Sequence, residues 1–78
     1  MEVFKTFGTK LEVHPARVYV ADISYEEATQ AAQQLDWNQF HIIKNCDGTV
    51  NASFIVGRTV ADSLWAFLHG NNPGPLVA

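Results

Sequence analysis

Few side chains in this sequence stand in an arrangement that chemistry requires. Cys46, the only cysteine, lies in Asn45-Cys46-Asp47-Gly48. A nucleophilic thiolate needs a histidine, a cation or a helix N-terminus beside it to lower its pKa. Lys44 is the only basic neighbour, so Cys46 reads as a small side chain flanking a turn. His14, His41 and His69 have neither the i,i+4 spacing of a helical metal site nor a paired cysteine or carboxylate at ligand distance. No metal and no cofactor are expected. His41 is expected on a core face as a satisfied histidine. Paired carboxylates for glycoside or phosphoryl chemistry need a cleft, and a two-layer domain of this size has little room for one. Asn51-Ala52-Ser53 matches the glycosylation acceptor, which has meaning only behind a secretory signal. The expectation is that the protein is not an enzyme and has no catalytic residues.

Binding chemistry is better represented. Asp22, Glu26 and Glu27 gather where a helix should begin, and favourable interaction with the helix dipole accounts for them structurally. Taken with Tyr25 and Asp36, they form an acidic, aromatic-bearing face that suits a basic groove on another protein, including one that normally holds nucleic acid. Trp37 and Trp65 are of the residue type that anchors interfaces, although core packing is the commoner fate of Trp65 and Phe67.

These residues must be positioned by a hairpin running from Gln39 to Val56. Asp47-Gly48 tolerates the positive φ values of a two-residue type I′ turn. That turn pairs Cys46 with Thr49, His41 with Phe54 and Phe40 with Ile55. Alternation then assigns His41, Ile43, Asn45, Val50, Ala52, Phe54 and Val56 to the core face. Phe40, Ile42 and Ile55 fall on the other face. Upstream, Gly8-Thr9 is expected to turn a II′ hairpin between Glu2–Phe7 and Lys10–Val13, with a kink at His14-Pro15. Residues 17–23 form a β-branched strand. Ser24 and Glu27 fit a capping box, followed by the apolar stripe Ala28, Ala31, Ala32 and Leu35. A second helix follows Gly57, with Thr59 and Asp62 imitating a capping box and Gly70 as its stop.

The resulting fold class is α+β, an antiparallel sheet of four or five strands with two helices packed on one face, in the order ββ-β-α-ββ-α. Residues 1–70 form a single domain, and 71–78 are expected to be a flexible C-terminal tail. With 47% hydrophobic and 17% charged residues the chain is apolar enough to fold and too poor in charge for disorder. No stretch is long enough to span a bilayer, so a soluble, cytoplasmic protein without membrane contact is expected. Two helices cover only one side of such a sheet, leaving Phe40, Ile42 and Ile55 with Trp37 as an apolar surface to be covered either by a twin subunit or partner, or within the monomer by sheet curvature and the N-terminal hairpin. An aromatic sheet face of Tyr19, Phe40 and Phe54 is the alternative platform for a single-stranded nucleic acid. Five basic residues against eight acidic ones, a net charge of −3, oppose that use and favour a partner with basic patches.

Small, acidic, self-contained α+β domains of this kind are similar in general build to bacteriophage accessory proteins that block host machinery, anti-CRISPR proteins among them. The similarity lies in size, charge and architecture and in no motif. It implies an inhibitor of a basic nucleoprotein. The expected function is a small non-enzymatic protein that occupies a surface of another protein; a homodimeric structural or adaptor subunit and a single-stranded nucleic-acid binder are the alternatives.

Overall fold

Val18, Val20, Ala52 and Phe54 occupy alternate positions on two neighbouring strands, and all four are buried. This period of two makes one sheet face the floor of the core. The computed structural model describes residues 2–70. Along the chain these form α1 (Glu2–Phe7), a 3-10 turn (Gly8–Lys10), β1 (Leu11–His14), β2 (Arg17–Ile23), α2 (Tyr25–Gln34), β3 (Gln39–Lys44), β4 (Val50–Ile55) and α3 (Arg58–Leu68). The four strands make one sheet in the order β1-β2-β4-β3, antiparallel throughout. Phe4 and Phe7 of α1, Ala28 and Ala31 of α2, and Ala61 and Leu64 of α3 join the inward strand residues in one buried cluster. All three helices therefore lie on the same side of the sheet.

The α+β class and the antiparallel sheet agree with the sequence reading, but the N-terminus does not. Glu2–Phe7 is a helix rather than a strand. Phe4 and Phe7 stand three residues apart on one helical face, and both are buried with their rings edge-on at 5.8 Å. Gly8 then adopts φ 59°, the left-handed conformation that stops a helix without steric cost. Among the described residues the order is accordingly α-β-β-α-β-β-α, with three helices and four strands.

The kink expected at His14-Pro15 is a tight reversal. His14 pairs with Arg17, and Pro15 and Ala16 make the turn, Ala16 with φ 69°. Proline first and positive φ second is the pattern of a type II turn. The Val56 N–H donates to the Ala16 carbonyl at 3.0 Å and ties this turn to the end of β4. At the other end of β2, an extra residue sits between the pairs Val20–Ala52 and Ile23–Val50. This bulge contains Asp22, whose φ of 57° is stabilised by its N–H donating to Asn51 Oδ1 at 3.1 Å.

Helix α2 begins as the capping box requires. Glu27 N–H donates to Ser24 Oγ at 3.1 Å, and Ser24 N–H donates to Glu27 Oε1 at 3.0 Å. Ala28, Ala31 and Leu35 form its buried stripe. In contrast, Thr59 and Asp62 form no capping box. Helix α3 starts at Arg58 behind Gly57, two residues before the start that a Thr59 cap would set, and Asp62 instead accepts from Arg58 Nε at 3.3 Å.

The hairpin from β3 to β4 is shifted by one residue from the expected register. Phe40 pairs with Phe54, Ile42 with Ala52 and Lys44 with Val50. The two-residue turn is replaced by a loop through 45–49, closed by Asn45 N–H donating to the Thr49 carbonyl at 2.9 Å. Asp47 accepts from both the Thr49 N–H and the Thr49 hydroxyl, which fixes the longer loop. A slip of one exchanges every side chain of a strand between faces. Phe40 and Ile42 thus turn inward, while His41 and Ile43 turn out and are exposed. The slip is favoured because it exchanges a polar histidine for a phenylalanine on the core side. Phe40 stacks on Phe54 at 4.9 Å and 12° between ring planes. Trp37 caps that stack at 5.5 Å from Phe40, and Phe4 meets Phe54 at 6.4 Å. The residues 71–78 read as a tail lie outside those described.

Candidate protein-binding surfaces

With every helix of the described residues on one side, none of them covers the other sheet face. Strand register places His14, Arg17, Ile55 and Gln39 in one row across it. Glu12, Tyr19, Ser53 and His41 form the next, and Ala21, Asn51 and Ile43 complete it. Tyr19 on a central strand is 37% exposed, and Ile43 on the edge strand is 64% exposed. Between them lies a shallow depression of about 430 Å³, bordered by Lys10, Glu12, Tyr19, Ala21, Ile43 and Ser53. Tyr19 is held in place from two sides. Arg17 Nη1 donates to its hydroxyl at 3.1 Å, and the His14 ring meets its ring edge-on at 5.9 Å. His14 Nε2 also lies 3.2 Å from Glu12 Oε1. Lys10 and Arg17 outnumber Glu12 here, so the acidic character of the chain is carried elsewhere.

It is concentrated at the end of the sheet where β2 bulges and the β3–β4 loop returns. Asn45 Nδ2 stands 3.2 Å from Asp22 Oδ1, 3.0 Å from Thr49 Oγ1 and 2.9 Å from Asn51 Oδ1, binding the bulge to the loop. Tyr25, 58% exposed, borders a groove with Lys44, Asn45, Gly48 and Thr49. Glu26 is exposed on the first turn of α2. The structure thus brings Asp22, Tyr25 and Glu26 to one end of the molecule. Glu27 belongs to the same turn, but its carboxylate is committed to the capping box. Asp36 does not join them. It follows Leu35 at the far end of a ten-residue helix, about 15 Å along the axis.

Asp47 was read from sequence only as a turn residue, yet the loop brings it to this same end. Hydrogen bonds from the Thr49 hydroxyl and backbone N–H hold its carboxyl below the ordinary value of 3.8. The Asx-type spacing of Asp47 and Thr49 was the available signal, masked by the stronger Asp-Gly turn cue.

The apolar interface read from sequence is rearranged. Phe40 and Ile42 face the helices and pack against the core, so neither belongs to the open face. Ile55 does lie on that face and is half-buried. Trp37 is 43% exposed, but its ring covers Phe40 and its Nε1 donates to the Ala32 carbonyl at 3.0 Å. The aromatic platform of Tyr19, Phe40 and Phe54 is not assembled on one face. Only Tyr19 is outward, because the register slip turns Phe40 to the same side as Phe54.

Cys46 is an exposed free thiol in the β3–β4 loop. Among the described residues, no group of three or more His, Cys, Asp or Glu side chains is placed to hold a metal ion, and no helix is long and apolar enough to cross a membrane. In comparisons with known proteins, the chain matches no family model, no curated sequence and no solved structure.

Proposed function

We propose that this is a small, non-enzymatic, cytoplasmic binding protein that acts by occupying a surface of another protein. The observation that carries the reading is the sheet face that no helix of the described residues covers, where Tyr19 and Ile43 are exposed around a depression while three helices crowd the opposite side. An apolar centre with a polar rim is the anatomy of a protein interface, and a tyrosine already held by Arg17 and His14 loses little side-chain entropy on docking. The adjoining acidic end, with Asp22, Glu26 and Asp47 beside Tyr25, supplies the charge that would steer a partner with a basic surface. A basic nucleoprotein, held in the manner of the phage inhibitors to which the chain is similar in build, is the partner that fits this pairing.

The test is affinity capture with face-specific variants. Tyr19→Ser with Ile43→Ser should lose the partner, and Asp22→Lys with Glu26→Lys should weaken its capture. Gln33→Lys on the outer surface of α2 should leave it unchanged. Retention of the partner by the Tyr19/Ile43 variant would remove the sheet face from the account.

A homodimer is the second reading, and one feature favours it. Strand β3 is an edge of the sheet, free of proline, and it carries the most exposed large apolar side chain of the described residues. Such an edge is open to pairing with another strand. Light scattering at rising concentration separates the two readings, since the dimer requires a doubled mass.

A further inference from the structure

Two backbone hydrogen bonds fix which way the amides of β3 point. Val56 N–H donates to the Ala16 carbonyl, so residues 52, 54 and 56 turn their backbone groups toward β2. Asn45 N–H donates to the Thr49 carbonyl, which turns 51, 53 and 55 toward β3, with 43, 41 and 39 bonded opposite them. The N–H and C=O groups of Phe40, Ile42 and Lys44 therefore point out from the end of the sheet, where no described strand meets them. Sheet edges are commonly blunted by shortness, charge or proline. The opposite edge, β1, has four residues, carries Glu12 and His14, and runs into Pro15. In contrast, β3 has six residues, no bulge against β4, no proline, one charge at its last position and an exposed Ile43.

We infer that the free edge of β3 pairs with β3 of a second copy of this chain, antiparallel about a two-fold axis through Ile42. The pairing deepens the homodimer reading and rests on it. Ile42 lies opposite its twin, and Phe40 lies opposite the partner's Lys44. Every outward amide of Phe40, Ile42 and Lys44 then finds an acceptor, and every outward carbonyl a donor. A slip of one residue would set these groups against amides that face away, and a slip of two would leave some unpaired. The side chains are complementary in the same register. Lys44, the one Lys, Arg, Asp or Glu of the strand, stands across from an aromatic pair, the partner's Phe40 and Trp37, and not across from its own twin. On the outer face Ile43 meets the partner's His41. Assembly closes at two, because the joined sheet ends in a short β1 strand on either side. The contact is about 20 Å long, at the small end for interfaces, so the dimer forms at micromolar concentrations and above.

Sedimentation of the full chain should show its mass double between about 1 μM and 1 mM. Lys44→Pro deletes an N–H that faces the edge and none that faces β4, and it leaves Tyr19 and Ile43 in place. Dimerisation should weaken at least about tenfold with the circular dichroism unchanged, since two interchain bonds are lost per dimer. A cross-linking test is independent of how the proline is tolerated. With Cys46→Ser in both chains, His41→Cys mixed with Ile43→Cys should oxidise to the mixed dimer in excess over either like pair, because these two positions face each other at a close, non-hydrogen-bonded pair. A single-chain mass up to about 1 mM, a dimer indifferent to Lys44→Pro, or no excess of the mixed cross-link would each overturn the pairing. None of these results bears on the partner-binding reading, which is decided by capture with the Tyr19 and Ile43 variants.

Discussion

Ile42 and Ile43 are neighbours of identical chemistry, and the structure assigns them opposite fates. Ile42 faces the helices, pairs with Ala52 and packs against the core; Ile43 faces water with 64% of its surface free. Truncating a core isoleucine to alanine costs about 2–5 kcal/mol, and a half-buried position belongs at the lower end, near 2 kcal/mol. Truncating an exposed one costs within about 0.5 kcal/mol. A domain of this size has roughly 3–5 kcal/mol of stability in hand, so Ile42→Ala removes about half of it. Urea unfolding followed by circular dichroism reads the difference directly. With a slope near 1 kcal/mol per molar urea, the midpoint should fall by about 2 M for Ile42→Ala and by less than about 0.5 M for Ile43→Ala. The register implied by a two-residue Asp-Gly turn predicts the reverse order. Equal midpoints, or the larger loss at Ile43, would refute the pairing of Phe40 with Phe54 and the exposure of the sheet face that follows from it.

Other consequences are as specific. Ala16 adopts φ 69° in the β1–β2 turn, where a side chain costs about 1–2 kcal/mol and the added freedom of an unfolded glycine returns somewhat less. Ala16→Gly should therefore raise the melting temperature by a few degrees in calorimetry. Ser24→Ala deletes the cap that accepts from Glu27 N–H and should destabilise by about 1 kcal/mol in the same assay. The Asp47 carboxyl is held below 3.8 in the folded chain, so its contribution is fully present above that value and is lost as pH falls through the lowered folded pKa. Carbon-detected NMR titration should find the Asp47 midpoint below 3.8, and Thr49→Ala should return it toward 3.8.

Much of the fold was legible because local signals and tertiary packing agreed. Ser24 and Glu27 announce α2, and the alanine stripe behind them has no use except against a sheet. The β-branched run of β2 is buried at alternate positions, as a central strand should be. Where the reading failed, the local signal admitted two structures. Phe4 and Phe7 are consistent with a helical face, yet the same segment alternates well enough to imitate a strand before Gly8-Thr9. Asp47-Gly48 serves a two-residue turn or a longer loop held by Thr49. The choice depends on Phe40 stacking against Phe54, a contact that depends on the very register to be decided. The candidate surface changed with it. Phe40 and Ile42 left the open face, Ile43 and His41 replaced them, and Tyr19 alone of the aromatic platform stayed. The acidic residues depended less on register, so Asp22, Tyr25 and Glu26 remain together. Asp36 was separated by the length of α2, which a grouping by charge does not weigh.

The central claim, that the sheet face no described helix covers is the working surface, is tested most directly by mapping a captured partner onto the isotope-labelled chain. Backbone NMR signals of Tyr19, Ala21, Ile43, Asn51 and Ser53 should shift or broaden on addition of the partner, with those of Gln30, Gln33 and Ser63 on the helical side unchanged. Perturbation centred on α2 and α3, with the sheet signals undisturbed, would contradict it.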